Sequence, residues 1–280
     1  MFQSTSKIIN QASVPSQSFY SSSTESVKIK TPIPVASIKV IPPVSARAFL
    51  VGNVRTGKIY LKQNSDVVLP VASMSKLLTA IEVLDTMAEA DPIVVTENEL
   101  NIYDNNNFVN GERFTVKDLL HALLLGSSNV AAEALASSTN RIKFLELMSS
   151  YAWEIGMSST YFADPSGIDP HNVSSANDFF ELAKYLYELH PSILAITRTP
   201  KYILATTTLH QYHNFVNIHP FVNDPDFLGG KTGHTAEAKD TMLTILNINK
   251  EPIAIIVLSS DDRKKDTLYL IAQVKKILEK

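Results

Sequence analysis

The stretch Leu69–Ala80, "LPVASMSKLLTA", sets Ser73 three residues ahead of Lys76 and runs on into an apolar segment. On a helix this spacing places a hydroxyl and an amine on one face, one turn apart. Such a Ser-x-x-Lys is either a nucleophile with its base or a helix start carrying a surface lysine. The spacing does not choose between them, because "STSK" at Ser4–Lys7 has it too, in a segment without apolar periodicity. The surrounding chain has to decide.

Behind Ser73, Leu77, Ile81 and Leu84 recur at helical spacing. Upstream, "ARAFLVGNV" and "KIYLKQN" flank Arg55-Thr56-Gly57 and read as a hairpin. Downstream, "TVKDLLHALLLG" is a helix opened by Thr115 with Asp118 three residues later and stopped by Gly126. "NVAAEALASS", "IKFLELMSSYAWEIG" and "ANDFFELAKYLYEL" add three more, so residues 73–190 are expected to be largely helical. After Pro200 the pattern turns to strands in "KYILATTTL", "DFLGGKTGH", "TMLTILNIN" and "PIAIIVLSS". From Lys264 the chain ends as an amphipathic helix. Strands at both ends with helices between predict an α+β fold, an antiparallel sheet formed by both ends of the domain with an inserted helical lobe. Residues 1–44, rich in Ser, Thr and Pro, are expected to be a tether, and residues 45–280 the single domain.

Composition removes several classes of function. With 45% hydrophobic and 19% charged residues and a net charge of −3, the chain has no basic footprint for nucleic acid or anionic membrane. No apolar run approaches the ~18 residues of a bilayer span, and the N-terminus lacks the apolar core of a secretory signal. With no cysteine there is no disulfide, thiolate nucleophile or zinc–cysteine site.

Three short patterns follow one another: Ser73-x-x-Lys76, Ser127-x-Asn129 and Lys231-Thr232-Gly233. Local context separates them from look-alikes. Ser127 and Asn129 fall in a break between two helices. Ser138 ends a helix, Ser174 or Ser175 is placed as an N-cap, and "RTG" at Arg55 is the hairpin turn. Lys231 begins a strand after Gly229-Gly230, where small residues let a substrate backbone approach. The ordered set is that of penicillin-binding proteins and serine β-lactamases.

From about Ala46 onward the chain resembles the low-molecular-weight penicillin-binding proteins, the D-alanyl-D-alanine carboxypeptidase family of serine peptidases. "TGKIYLKQNSD", "MSSTYFADPSGIDPHNVSSANDFFELAKYL" and "GGKTGHT" carry the likeness besides the three motifs. The resemblance implies an acyl-enzyme at Ser73 formed on the D-Ala–D-Ala bond of peptidoglycan stem peptides, with β-lactams as covalent inhibitors. It implies that Ser127 relays a proton and that Asn129 holds the substrate amide and orients Lys76. It also places the backbone N–H of His234 as an oxyanion donor beside Ser73, and Thr232, with Lys231, on the terminal carboxylate. No metal or cofactor is implied, and the location is extracytoplasmic, with any anchor upstream because the chain ends at Lys280. Chemically, Lys76 can serve as base only if its pKa falls, through burial and a second cation, for which Lys231 is the candidate. Two departures stand out: Ala238-Lys239 where the family usually has Ala-Gly, which bears on the strand beside the cleft, and Val130 where many members have Asp.

The reading leaves a D,D-endopeptidase acting on cross-links as the alternative to a carboxypeptidase. A class A β-lactamase would need a deacylating carboxylate, where "DPSGIDPHN" stands instead, and a non-catalytic module would not need every motif filled. His210, His213 and His219 lack good ligand spacing for zinc and are read as surface or cleft-rim residues. His121 is read as half-buried and structural, "DDRKKD" as a solvated turn and helix start, and Arg263 or Lys265 as possible contacts for the substrate carboxylate.

Overall fold

The two ends of the described domain meet in one antiparallel sheet. In the computed structural model, which describes residues 44–101 and 107–279, strands β1 (Ala48–Asn53) and β2 (Ile59–Gln63) join β3 (Phe227–Thr235), β4 (Lys239–Ile248) and β5 (Glu251–Ser260) in the order β2-β1-β5-β4-β3. β1 and β5 pair from Ala48 opposite Leu258 to Asn53 opposite Ile253. Both are covered on both faces, which is why they read as continuous apolar runs rather than alternating ones. Alternation decides which core each side chain joins. Phe49, Val51, Ile253, Ile255 and Val257 point to one face, Ala48, Leu50, Ala254, Ile256 and Leu258 to the other.

Helices α1 (Lys76–Thr86), α2 (Val116–Leu124), α3 (Asn129–Ser137), α4 (Arg141–Glu154), α5 (Ala176–Leu189) and α6 (Pro191–Thr197) form the inserted lobe over that second face. α7 (Arg263–Leu278) covers the first face with Leu270 and Val274. The helix starts are capped locally: Thr115 and Asp118 form a capping box, Ser128, Asn140, Ser175 and Asp262 cap α3, α4, α5 and α7. The α+β architecture is the expected one.

Several details differ from the sequence expectation. The Ser73 segment begins as a 3₁₀ turn, Ala72–Ser75, and the α-helix starts only at Lys76. Residues 155–175 are not helical but an irregular loop ending in a short strand at Val173–Ser174. A further strand, His213–Val216, pairs with Lys201–Leu204 in a separate hairpin. The "DDRKKD" cluster is not wholly solvated: Asp266 is buried and accepts hydrogen bonds from the Ser45 and Ala46 backbone N–H groups and the Ser45 and Ser260 hydroxyls. The supposed tether, residues 1–44, lies outside the described residues except for Val44.

Candidate active site

Ser73 and Lys76 sit where the lobe meets the edge strand β3. Val71 N–H donates to the Asn172 carbonyl at 3.0 Å, and the Val71 carbonyl accepts the Thr241 hydroxyl at 2.9 Å, so the turn is fixed from the lobe and from the sheet. Ala72, just before Ser73, holds φ at +50°, a left-handed conformation that costs a residue with a side chain about 1–2 kcal/mol. Ser127 does the same at φ +59°, and the sharp bend there turns its hydroxyl out of the helix run. Gly233 of β3 lies so close that a Cβ would come 2.8 Å from the Val71 carbonyl oxygen and 2.9 Å from the Ser73 nitrogen. Any other residue would hold the strand away from Ser73.

The polar atoms form two serine–lysine contacts. Lys76 is fully buried and donates from Nζ to Ser73 Oγ (2.9 Å), Asn129 Oδ1 (2.7 Å) and the Ser166 carbonyl (2.5 Å). Lys231, also buried, donates from Nζ to Ser127 Oγ (2.8 Å) and to the Thr232 carbonyl (2.9 Å). Burial draws the Lys76 ammonium down to about 7, against the pull of Asp164 and Glu133 in the other direction. Lys231 falls well below the usual lysine value through burial and then through the charges of Lys76 and Arg263. Burial leads for both lysines, as expected for Lys76, and the repulsion between the two ammoniums acts on the pair.

His234 follows on β3, exposed, its Nδ1 hydrogen-bonded to Asp240 Oδ1 at 2.8 Å. Arg263 donates to the Gly233 carbonyl at 2.7 Å and pairs with Asp240 at 3.4 Å, so it stands beside the strand, whereas Lys265 is exposed and contributes its backbone to the α7 cap. Thr232 is buried between Lys231 and Gly233. Lys239 keeps its strand pairing with Thr235 by adopting φ +54° and reaches Asp261 at 2.8 Å, so the departure from Ala-Gly is absorbed in the backbone.

Sequence reasoning missed the inner side of this site. Asp164, Ser166 and Asn172, within the quoted "DPSGIDPHN", form its floor, and the signal available was the Asp-x-x-Gly spacing of an Asx turn. The histidines are corrected as well. His213 is buried, bonded to Glu112 Oε1 at 3.0 Å and stacked among Phe108 and Phe215; His219 is buried, bonded to the Leu243 carbonyl at 3.1 Å and lowered to about 3 by burial. Neither is a rim residue. Only His210 is on the surface side, stacked on Phe114. His121 is buried, bonded to the Lys117 carbonyl and stacked on Tyr202.

An antiparallel sheet with an inserted helical lobe, and two serine–lysine contacts in the seam between them, mark the serine peptidases of the penicillin-binding type. The sequence profile of the D-alanyl-D-alanine carboxypeptidase family, the S11 peptidases, matches residues 36–262. A D-alanyl-D-alanine endopeptidase of Pseudomonas aeruginosa is 28% identical over 86% of this chain and 80% of its own length. A D-alanyl-D-alanine carboxypeptidase of Bacillus subtilis is 28% identical over 80% of this chain and 59% of its own. The solved structure of penicillin-binding protein D2 from Listeria monocytogenes, in a cefotaxime-bound form, superposes with a TM-score of 0.70 at 28% identity, covering 83% of this chain and 98% of that one. The chain belongs to the D-alanyl-D-alanine carboxypeptidase family of serine peptidases.

Proposed function

We propose that the protein is a serine D-alanyl-D-alanine carboxypeptidase that removes the terminal D-Ala of peptidoglycan stem peptides through an acyl-enzyme on Ser73, and that β-lactams acylate the same hydroxyl. One observation carries the reading: the hydrogen bonding of Lys76. A neutral amine has two N–H groups and one lone pair. Asn129 Oδ1 and the Ser166 carbonyl can only accept, so they take both N–H groups, and the lone pair is left facing Ser73 Oγ.

In the first step Ser73 Oγ passes its proton to Lys76 and bonds to the carbonyl carbon of the penultimate D-Ala. The oxyanion is assigned to the backbone N–H groups of Ser73 and His234, a reading supported by the close seating of Gly233, where a Cβ would lie 2.9 Å from the Ser73 nitrogen. When the carbon–nitrogen bond breaks, the leaving amine takes a proton through Ser127, replenished from Lys231. The proton that Lys76 took from Ser73 makes good the loss at Lys231, so that Lys76 is neutral again. Water then attacks the ester, Lys76 accepts its proton, and Ser73 Oγ recovers a hydrogen as the product acid departs. The terminal carboxylate is assigned to Thr232 and Lys231 at one end of β3. The upstream peptide then runs past His234 toward the hollow of about 250 Å³ lined by Thr235, Ala236 and Lys239. Because the substrate is peptidoglycan, the location we assign is extracytoplasmic.

A second reading, cleavage of D-alanyl cross-links, is favoured by the name of the Pseudomonas relative. Fluorescent penicillin on the wild type and on Ser73→Ala tests the acyl-enzyme: label on the first and none on the second is expected, and an unlabelled wild type defeats the reading. Mass spectrometry of muropeptides separates the activities, free D-Ala marking the carboxypeptidase and loss of cross-linked dimers the endopeptidase.

A further inference from the structure

The Ser166 carbonyl that aims Lys76 is itself held by one buried side chain. Asp164 is 6% exposed, and its carboxylate accepts four hydrogen bonds: at Oδ1 from the Ser166 N–H (2.6 Å), the Ser166 hydroxyl (2.7 Å) and the Gly167 N–H (2.6 Å), and at Oδ2 from the Asp169 N–H (2.6 Å). All four donors belong to its own loop. Asn172 completes the cradle, its Oδ1 accepting from the Ala163 and Asp164 N–H groups and its Nδ2 donating to the Asp164 carbonyl and to Ser75 Oγ. The Thr79 hydroxyl of α1 donates to the Pro165 carbonyl at 2.6 Å. Gly167, at φ +83°, passes so near that a Cβ would lie 2.0 Å from the Ala72 carbonyl oxygen. The loop therefore grips the Ser73 turn from both sides of Lys76, and Asp164 is the only carboxylate in it that ties the residues around Ser166 together.

We propose that Asp164 is a positioning residue for acylation: by ordering the 164–169 loop it holds the Ser166 carbonyl where it claims one N–H of Lys76 and turns the amine lone pair toward Ser73. The assignment rests on the acyl-enzyme reading above. The loop is more than structural filling, because its hydrogen bond to Lys76 is made by the carbonyl that fixes the direction of the base. The groups facing Lys76 are Ser73 on the turn, Asn129 and Glu133 on α3, Ser166 and Asp164 on the loop and Lys231 on β3. Of these, Asp164 and Glu133 are negative and raise the Lys76 pKa. Loss of the Asp164 charge must therefore lower it, so a lost positioning contact and a lost charge leave separate marks.

The test is the second-order rate of acylation by benzylpenicillin as a function of pH, for the wild type, Asp164→Ala and Asp164→Asn, with folding checked by thermal melting. Asn keeps an acceptor for the Ser166 and Gly167 N–H groups but sets an amide N–H against that of Asp169, so it serves if the Ala variant does not fold. We expect the plateau rate to fall roughly 10²-fold in Asp164→Ala, the scale of an ångström-sized misplacement, and about tenfold in Asp164→Asn. In both, the acid limb moves to lower pH. Wild-type plateau and limb in Asp164→Asn overturn the proposal. So does a lowered rate with an unmoved limb, which is what a merely structural residue gives. An unlabelled wild type would instead defeat the peptidase reading itself.

Discussion

Two serine–lysine pairs face each other across the cleft, and they are built in opposite ways. Ser73 and Lys76 are three positions apart in sequence and meet because a helical turn brings them together, whereas Ser127 and Lys231 are 104 positions apart and meet only because the lobe is docked on the sheet. Both lysines are buried, but Lys76 has carboxylates acting on it from Asp164 and Glu133, while the charges acting on Lys231 are those of Lys76 and Arg263. The difference fits the different work proposed for them. A lysine balanced near neutrality can accept a proton and return it; one surrounded by like charge and solvent-poor protein favours handing its proton on, toward Ser127. A shared residue pair is thus tuned by its surroundings rather than by its own chemistry.

That contrast is open to attack. The largest effect expected is in Ser73→Ala and Lys76→Met, which should lower penicillin acylation by roughly 10⁴-fold or more, as removal of a nucleophile or its base does. Lys231→Met should cost less, roughly 10²–10³-fold, as loss of one electrostatic contact to the reacting centre does; equal losses from the two lysines would erase the distinction. Next is the pH profile of acylation: the proposed mechanism needs neutral Lys76, so the acid limb should lie at about 7 and belong to Lys76. A limb that stays in place in Glu133→Gln would contradict the charge balance, which predicts a shift to lower pH.

Stability gives a further, independent reading of the same pairs. The folded pKa of Lys76, about 7, lies below its ordinary 10.5, so between these values the unfolded chain binds more protons and stability should rise with pH. Urea midpoints across that window should show the rise in the wild type and a weaker one in Lys76→Met. The smallest effect belongs to a residue in neither pair. Thr115→Ala removes the α2 capping box and should cost about 1 kcal/mol in urea unfolding, with acylation at wild-type rate. Loss of acylation there would show that the lobe transmits strain to Ser127.

The sheet was readable because its strands are long, apolar and bounded by turn residues, and the helices because caps such as Thr115 and Ser175 announce them. The His213–Val216 strand was not, since "HQYHNFV" alternates weakly and becomes a strand only by pairing with Lys201–Leu204. His213 and His219 looked like rim residues because histidine is usually half-exposed. Their burial depends on Glu112, 101 positions away, and on the Leu243 carbonyl, 24 positions away. In the site, every motif residue was visible as a letter, but Asp164, Ser166 and Asn172 were visible only as an unexplained likeness.

By itself the sequence determined the α+β order of elements, the two ends of the sheet and the Ser73–Lys76 pair, because periodicity, caps and a one-turn spacing are local properties. The tertiary structure alone decided that Lys231 meets Ser127, that Ser166 turns its carbonyl to Lys76, and that burial is the leading cause of the lowered Lys76 pKa. Desolvation and long-range hydrogen bonds depend on what the folded chain brings around a group, and no spacing along the chain encodes that directly.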